Sequence, residues 1–207
     1  MFNRIEIELN QDSMAHPIKC QCGYIQGTVA ALEQATRIRC YCKDCQAFAY
    51  FLGDAGTILD SNGGTDIVQT SPSNITFFQG TDRLACVRLT EKGMVRWYAD
   101  CCSTPIGNTI PSQNFSIVGV VHNCLESSER QHNDFVGATG AQINTESAEG
   151  DPKPKSFGIL PIIGRNILRM IKDRVNGNYK KNPFFVSESD EPISKPQILE
   201  EENYNAL

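Results

Sequence analysis

The stretch that decides the fold is Thr65–Tyr98, which reads TDIVQTSPSNITFFQGTDRLACVRLTEKGMVRWY. It contains four short apolar runs of strand length, separated by turns rich in Gly, Pro, Ser, Asn and Asp. Strands that recur about every ten residues with such turns are typical of an antiparallel sheet. We therefore predict a mainly β protein, with strands at 2–10, 24–29, 37–41, 65–70, 75–79, 84–89, 94–98, 106–110 and 115–122.

Seven of the nine cysteines fall into three tight groups around this sheet. The groups are Cys20 and Cys22, then Cys40, Cys42 and Cys45, then Cys101 and Cys102. The N-terminal residues lack the apolar core of a secretion signal, which predicts a cytoplasmic protein. In a reducing compartment, clustered cysteines are more often metal ligands than disulfides, and thiolates are ligands that zinc prefers. The spacing therefore predicts zinc, with thiols that hold no metal as the alternative.

The three groups predict two different zinc sites. A structural zinc site uses four protein ligands, whereas three ligands leave a position for water or substrate. Cys40, Cys42 and Cys45 would make such an open three-sulfur site. The remaining cysteines would supply a closed structural site that joins the start and the end of the sheet, namely Cys20, Cys22, Cys101 and Cys102. Adjacent cysteines reach one ion only with strain, so either Cys101 or Cys102 is a candidate bystander.

Other cysteine and histidine residues carry less information. Cys86 and Cys124 are isolated in the sequence and are expected to pack as small apolar residues. His16 and His122 have no motif nearby, which favours surface or hydrogen-bonded histidines over ligands or acid–base groups.

The net charge and the hydropathy of the sequence argue against nucleic acids and membranes as partners. The net charge of −5 gives no overall attraction to nucleic acids or anionic membranes, and no apolar run reaches the length of a transmembrane helix. Basic side chains do recur between residues 165 and 181, so an acidic partner is an alternative there. The favoured interpretation is the solvated face of an amphipathic helix.

Patterning predicts three parts of the chain. Residues 1–122 form the zinc-binding β domain, and residues 123–156, rich in Ser, Glu, Asn and Gly, form a flexible connector. Residues 157–207 then form a helix and an extended tail that pack on the body. Apolar residues recur every three or four positions from 159 to 171, and Asn176-Gly177 ends the helix. Phe184 and Phe185 are expected to anchor the tail.

These motifs together resemble one known family. The matching segments are Cys20-x-Cys22-Gly23, Cys40-Tyr-Cys42-Lys-Asp44-Cys45-Gln46, Gly80 and Trp97-Tyr-Ala-Asp-Cys-Cys102-Ser-Thr-Pro105. They resemble the glutathione-dependent formaldehyde-activating enzymes, a family that includes centromere protein V and has an Mss4-like β fold. The resemblance covers about residues 15–122 and points to a divergent branch. It implies that Cys40, Cys42 and Cys45 hold a catalytic zinc, and that Cys20, Cys22 and Cys102 belong to a structural one.

One position departs from the family pattern. The late motif of the family has a cysteine where this chain has Ala99, and Cys101 stands beside Cys102 instead. Three outcomes follow from this replacement. Cys101 takes over the missing ligand by a local shift, Asp100 or water completes the site, or the structural zinc is lost.

Two functions are expected from these features. The resemblance implies a carbon–sulfur lyase that acts on S-hydroxymethylglutathione, with glutathione or another small thiol bound at the open zinc and with Arg37, Arg39 or Lys43 near the glutathione carboxylates. The alternative is a non-catalytic scaffold or binding module that zinc stabilises. In that case the helix at 159–175 and the acidic tail would make the contacts.

Overall fold

A computed structural model of the protein describes residues 15–125, 138–187 and 189–199. These residues contain eleven strands in two sheets and three α-helices, so the predicted mainly β class is confirmed. The strand predicted at 2–10 lies outside the described residues. The strands are β1 His16–Lys19, β2 Gln26–Val29, β3 Thr36–Cys40, β4 Thr65–Thr70, β5 Ile75–Gln79, β6 Leu84–Arg88, β7 Val95–Ala99, β8 Thr104–Thr109, β9 Val118–Val121, β10 Ala141–Ile143 and β11 Gln197–Ile198. The α-helices are α1 Lys43–Phe51, α2 Ala55–Ile58 and α3 Ile159–Val175.

The strands form two sheets. The smaller sheet has the order β1-β2-β5, and the larger has the order β10-β3-β4-β9-β8-β7-β6-β11. Neighbours are antiparallel except at the two ends of the larger sheet, where β10 pairs with β3 and β11 pairs with β6 in parallel. The successive strands β6, β7, β8 and β9 lie side by side, as expected for strands joined by short turns.

The main core lies where the two sheets meet. Ile25, the residue before β2, and Val29 of β2 belong to one buried cluster with Trp97 of the larger sheet. The indole nitrogen of Trp97 donates a hydrogen bond to Thr109 at 2.9 Å, so its polar group is satisfied although the residue is fully buried. Phe184, also fully buried, stacks on Trp97 with ring centroids 5.1 Å apart. The C-terminal segment therefore contributes directly to this core.

Part of the segment predicted as a flexible connector joins the larger sheet. Strand β10 pairs with β3, and Ile143 lies opposite Cys40. The composition of residues 123–156 is that of a mobile segment, but hydrogen bonding to an existing strand satisfies the backbone of this part. A three-residue strand is too short to give an alternating pattern in the sequence.

Helix α3 contacts the body mainly through polar side chains. Among its residues, Ile162 and Asp173 are buried, and Ser71 donates a 2.6 Å hydrogen bond to the Asp173 carboxylate. Asn166 donates to Gln69 at 3.1 Å. The apolar stripe of the helix is exposed, with Leu160 at 80% and Leu168 at 68%. No helix in the described ranges is long and apolar enough to cross a membrane.

Candidate metal centres

The first group of cysteines joins the two sheets. Cys20 and Cys22 lie in the tight turn after β1, where Gly23 has a left-handed φ of 78° and donates its N–H to the Cys20 carbonyl at 2.9 Å. Glycine adopts that conformation without strain. Cys101 and Cys102 lie in the turn between β7 and β8. We call these four residues the four-cysteine cluster, and its sulfur atoms all lie within 4.8 Å of one another.

The spacing of these sulfurs suits a tetrahedral zinc ion. Cys22 and Cys101 have sulfurs 3.3 Å apart, Cys20 and Cys22 3.5 Å, Cys101 and Cys102 3.8 Å, and Cys20 and Cys101 4.0 Å. Four sulfurs at Zn–S distances of 2.3 Å would be about 3.8 Å apart. The donor set and its dimensions therefore fit zinc.

Neighbouring groups orient two of these sulfurs. The Ile25 N–H donates to the Cys20 sulfur at 3.2 Å, and the Cys102 sulfur lies 3.1 Å from the Thr104 hydroxyl. Burial raises the pKa of Cys102, but hydrogen bonds from Thr104 and from backbone N–H groups outweigh it and lower that pKa to about 6. Burial raises the pKa of Cys20. Cys102 is therefore the sulfur that ionises most readily in this cluster.

Cys101 and not Ala99 lies with the other three cysteines of this cluster. Ala99 is fully buried at the end of β7, and the Cys101 sulfur joins the other three. The Asp100 carboxylate instead pairs with Arg83 at 2.7 Å and is not part of the cluster. Of the outcomes that the sequence leaves open, the structure brings Cys101 to the ligand position and places Asp100 elsewhere.

The second group forms where β3 passes into α1. Cys40 ends the strand, Cys42 is the residue before the helix, and Cys45 lies in the first helical turn. The Cys45 N–H donates to the Cys42 carbonyl at 3.0 Å. The three sulfurs, which we call the thiol triad, lie within 4.8 Å of one another. In the described residues no further His, Cys, Asp or Glu joins this group.

The electrostatics of the thiol triad favour a thiolate. Hydrogen bonds from Cys42 and Cys45 lower the pKa of Cys40 to about 3. The same hydrogen bonding to Cys40 raises the pKa of Cys42, and raises that of Cys45 well above its usual value. The N-terminus of α1 adds a positive partial charge beside these sulfurs. Cys40 is therefore the sulfur that ionises first.

Two residues that sequence analysis missed support the triad. Asn144, directly after β10, has a left-handed φ of 55° and donates its side-chain N–H to the Cys40 sulfur at 3.3 Å. Arg96 of β7 is 3% exposed and donates to the Cys45 sulfur at 3.8 Å and to Asn108 at 3.2 Å. Arg96 places a positive charge beside the thiol triad. In the sequence, the feature that distinguishes Arg96 is a charged side chain inside an otherwise apolar strand.

The triad lies on the wall of a cavity of about 350 Å³. The cavity is bounded by β3, β4, β7 and β8 and by residues from β10 and α3. Its described wall residues include Ile38, Ile67, Met94, Ile110, Ile117, Ile143, Gln69, Asn108, Asn144, Asn166, Asp44 and Arg96. Three thiol ligands beside such a space can hold a zinc ion and leave room for one further ligand.

Arg37, Arg39 and His122 lie away from both groups, whereas Lys43 is the first residue of α1, between Cys42 and Asp44. Arg37 and Arg39 lie on the face of β3 opposite to that of Ile38 and Cys40. They line a separate cavity, where Arg37 forms a buried ion pair with Asp66. They therefore do not line the cavity of the triad. His122 lies 3.3 Å from the Asp66 carbonyl in that same region.

The isolated cysteines and His16 are also outside both groups. Cys86 and Cys124 are buried in the main core, and burial raises the pKa of each to about 12. His16 of β1 is buried as well. None of the three belongs to a cluster of ligand atoms in the described residues.

Comparisons with known proteins identify a family but no function. A family model described as a family of unknown function, DUF6151, matches residues 12–185. No curated protein matches the chain. A crystal structure of a Rhodobacter sphaeroides protein, a structural genomics target, is similar at 17% identity and a TM-score of 0.39, covering 59% of this chain and 96% of the other. The match over residues 12–185 shows that the chain belongs to the DUF6151 family of unknown function.

Proposed function

We propose that this protein binds two zinc ions, a structural one in the four-cysteine cluster and a functional one in the thiol triad that accepts a small thiol. The observation that carries the proposal is the position of the triad. Its three sulfurs line a cavity of about 350 Å³, and no fourth protein ligand joins them within the described residues. An open coordination position beside a cavity is the arrangement of functional rather than structural zinc sites.

Zinc would supply a specific chemistry at the triad, because a coordinated thiol is deprotonated at neutral pH. The chain's own residues offset the charge of the three thiolates. Arg96 contributes a buried positive charge next to Cys45, and Asn144 donates to Cys40. These contacts withdraw charge from the sulfurs, so the net negative charge of a three-thiolate site is reduced.

The resemblance to glutathione-dependent formaldehyde-activating enzymes, with its Mss4-like fold, supports a carbon–sulfur lyase as the activity. In that reaction the carbon–sulfur bond of an S-hydroxymethyl thiol breaks, the sulfur keeps the electron pair, and formaldehyde leaves. The hydroxyl proton passes to a base. Asp44 is the carboxylate on the described cavity wall, 40% exposed and 3.6 Å from Arg96, and we assign it this role.

Metal content and turnover test this proposal. Native mass spectrometry is expected to find two zinc ions per chain, and a chain that binds none would overturn the proposal. NMR with ¹³C-labelled S-hydroxymethyl thiols would detect release of formaldehyde. Asp44→Asn is expected to lower that rate at least tenfold with the zinc content unchanged, in the range of a general base. An unchanged rate would remove Asp44 from the mechanism.

A non-catalytic binding module is the alternative, and one observation favours it. Helix α3 exposes Ile163, Ile167 and Ile171 as well as Leu160 and Leu168, an apolar stripe of the kind that mediates contacts. In this alternative both zinc ions are structural. Thiols would then leave the spectrum of the cobalt-substituted protein unchanged, whereas substitutions on the stripe would abolish partner binding.

A further inference from the structure

We infer that the cavity of the thiol triad takes a small, uncharged and largely apolar thiol, and that it excludes thiols that carry carboxylates, glutathione among them. This inference rests on the proposed function, since it names the thiol that the open site would accept. It departs from the substrate that the family resemblance implies.

The wall of the cavity is mainly aliphatic. Six of its described side chains are apolar, and they approach from strands β3 and β4, from the loops around β7 to β9, and from β10; they are Ile38, Ile67, Met94, Ile110, Ile117 and Ile143. A thiol with a hydrocarbon chain would lose contact with water against this wall, which favours its binding. The wall therefore selects for apolar surface next to the sulfur.

The charged wall residues already have partners. Arg96 is 3% exposed, and its guanidinium contacts the Cys45 sulfur, the Asn108 side chain and the Asp44 carboxylate. A ligand carboxylate would have to compete with all three for this cation. Asp44 itself would repel it. A carboxylate buried in the cavity would thus have no available positive partner in the described residues, and an unpaired buried charge is strongly disfavoured.

Two of the three cations predicted for glutathione, Arg37 and Arg39, lie in a different place, and the third, Lys43, is not among the described residues of the cavity wall. Arg37 and Arg39 line the separate cavity on the other side of β3, where both form ion pairs with Asp66. Arg39 also lies 3.4 Å from Asp60. Glutathione carries two carboxylates, and the cavity of the triad offers neither of these arginines to them.

Neutral amides provide the remaining polar character of the wall. Asn108, Asn144, Asn166 and Gln69 line the cavity, and Asn166 and Gln69 are hydrogen-bonded to each other at 3.1 Å. Amides bind hydroxyl and carbonyl groups without requiring a charge. A thiol with a neutral polar end, or the S-hydroxymethyl form of an apolar thiol, fits this set.

A matched pair of thiols tests the inference on the wild-type protein loaded with Co²⁺. 4-Mercapto-1-butanol and 4-mercaptobutanoate have the same chain length and differ in the charge at the far end. The thiolate-to-cobalt absorbance would give a dissociation constant for each, with glutathione as a third ligand. We expect the alcohol to bind at least tenfold more tightly than the carboxylate and glutathione.

The outcomes separate this inference from the proposed function. Equal or tighter binding of 4-mercaptobutanoate or glutathione overturns the inference and leaves the open thiol site intact. A spectrum that none of the three thiols changes overturns the proposed function, and the inference with it.

A substitution on the wall tests the physical cause. Met94 is 40% exposed, so a longer polar side chain can be accommodated there. Met94→Lys adds a cation to the wall, and Met94→Gln is the neutral control of similar length. We expect Met94→Lys to tighten 4-mercaptobutanoate at least fivefold relative to Met94→Gln, with little change for the alcohol. If the two variants bound 4-mercaptobutanoate equally well, the lack of an available cation on the wall would not be the cause of the preference for uncharged thiols.

Discussion

The two thiol clusters present the same ligand atom in two different structural settings. The four-cysteine cluster connects turns of two different sheets, and its Cys20 and Cys101 are 81 residues apart in the chain. The thiol triad comes from one short segment, residues 40–45, at the junction of a strand and a helix. A zinc ion in the first closes a long loop and completes its own coordination. A zinc ion in the second closes almost no loop and leaves space beside it.

This difference separates stability from ligand binding. Closing a long loop removes more conformational entropy from the unfolded chain than closing a short one, so a zinc ion in the four-cysteine cluster would contribute more to the free energy of unfolding than one in the triad. The triad orders residues that β3 and α1 already fix. Its effect is therefore expected on ligands and not mainly on the fold.

The largest expected effect comes from breaking the long-range cluster. Cys20→Ser removes a ligand that is 1% exposed and is expected to lower the free energy of unfolding by about 4 kcal/mol, the scale of a lost structural metal. Urea unfolding monitored by circular dichroism would measure it. Cys86→Ser is the matched control, since Cys86 is equally buried but outside both clusters. A similar decrease in the free energy of unfolding of the two variants would contradict a structural zinc at Cys20.

Breaking the triad is expected to cost less stability but to remove the thiol site. Cys42→Ser should lower the free energy of unfolding by about 1–2 kcal/mol, an ordinary value for a single substitution. Native mass spectrometry should find one zinc ion where the wild type holds two. Thiol binding should disappear with that ion. Retention of the thiol-dependent spectrum in this variant would place the open site elsewhere.

Arg96 sharpens the comparison because it places a buried positive charge beside the triad. Arg96→Met removes the charge beside Cys45 and is expected to weaken zinc binding at the triad about tenfold, the lower end of effects of groups that support metal ligands. Arg96→Lys keeps the charge and should retain most of the affinity. Competition with a chromophoric chelator would measure both. If both variants lost the same zinc affinity, the shape of the Arg96 side chain and not its charge would matter at this position.

The smallest expected effect tests whether Cys101 or Asp100 serves as the fourth ligand of the structural ion. Asp100→Asn breaks an ion pair whose side chains are 38–47% exposed, so less than about 1 kcal/mol of stability should be lost. Its zinc content should stay at two ions. Cys101→Ser should lose the structural ion. Loss of zinc from Asp100→Asn would instead assign Asp100 as the ligand.

The sequence predicts most of the strands and the thiol triad for the same physical reason. Turn residues and apolar runs of the meander at 65–98 are local signals, and so is the spacing of Cys40, Cys42 and Cys45. The predicted strand at 65–70 coincides with β4, and that at 75–79 with β5. These features need no knowledge of distant contacts.

The remaining features depend on contacts between distant segments. Asn144 approaches Cys40 because β10 pairs with β3 across 103 residues of separation between Ile143 and Cys40. Arg96 is buried because Asn108 and Cys45 meet it from two other elements. The exposed side of α3 was also not predictable, since an apolar stripe shows periodicity but not which face contacts the body. The cavity beside the triad is formed by residues of several of these distant segments, so it could not be predicted from local patterns.

Anomalous diffraction at the zinc edge from crystals of the zinc-loaded protein would locate the metal ions directly. We predict two peaks per chain. One should be surrounded by the sulfurs of Cys20, Cys22, Cys101 and Cys102. The other should be bound by Cys40, Cys42 and Cys45, with a fourth ligand that is not part of the protein and lies toward the cavity. The absence of a peak at the triad, or a fourth protein side chain bound to that ion, would contradict this prediction.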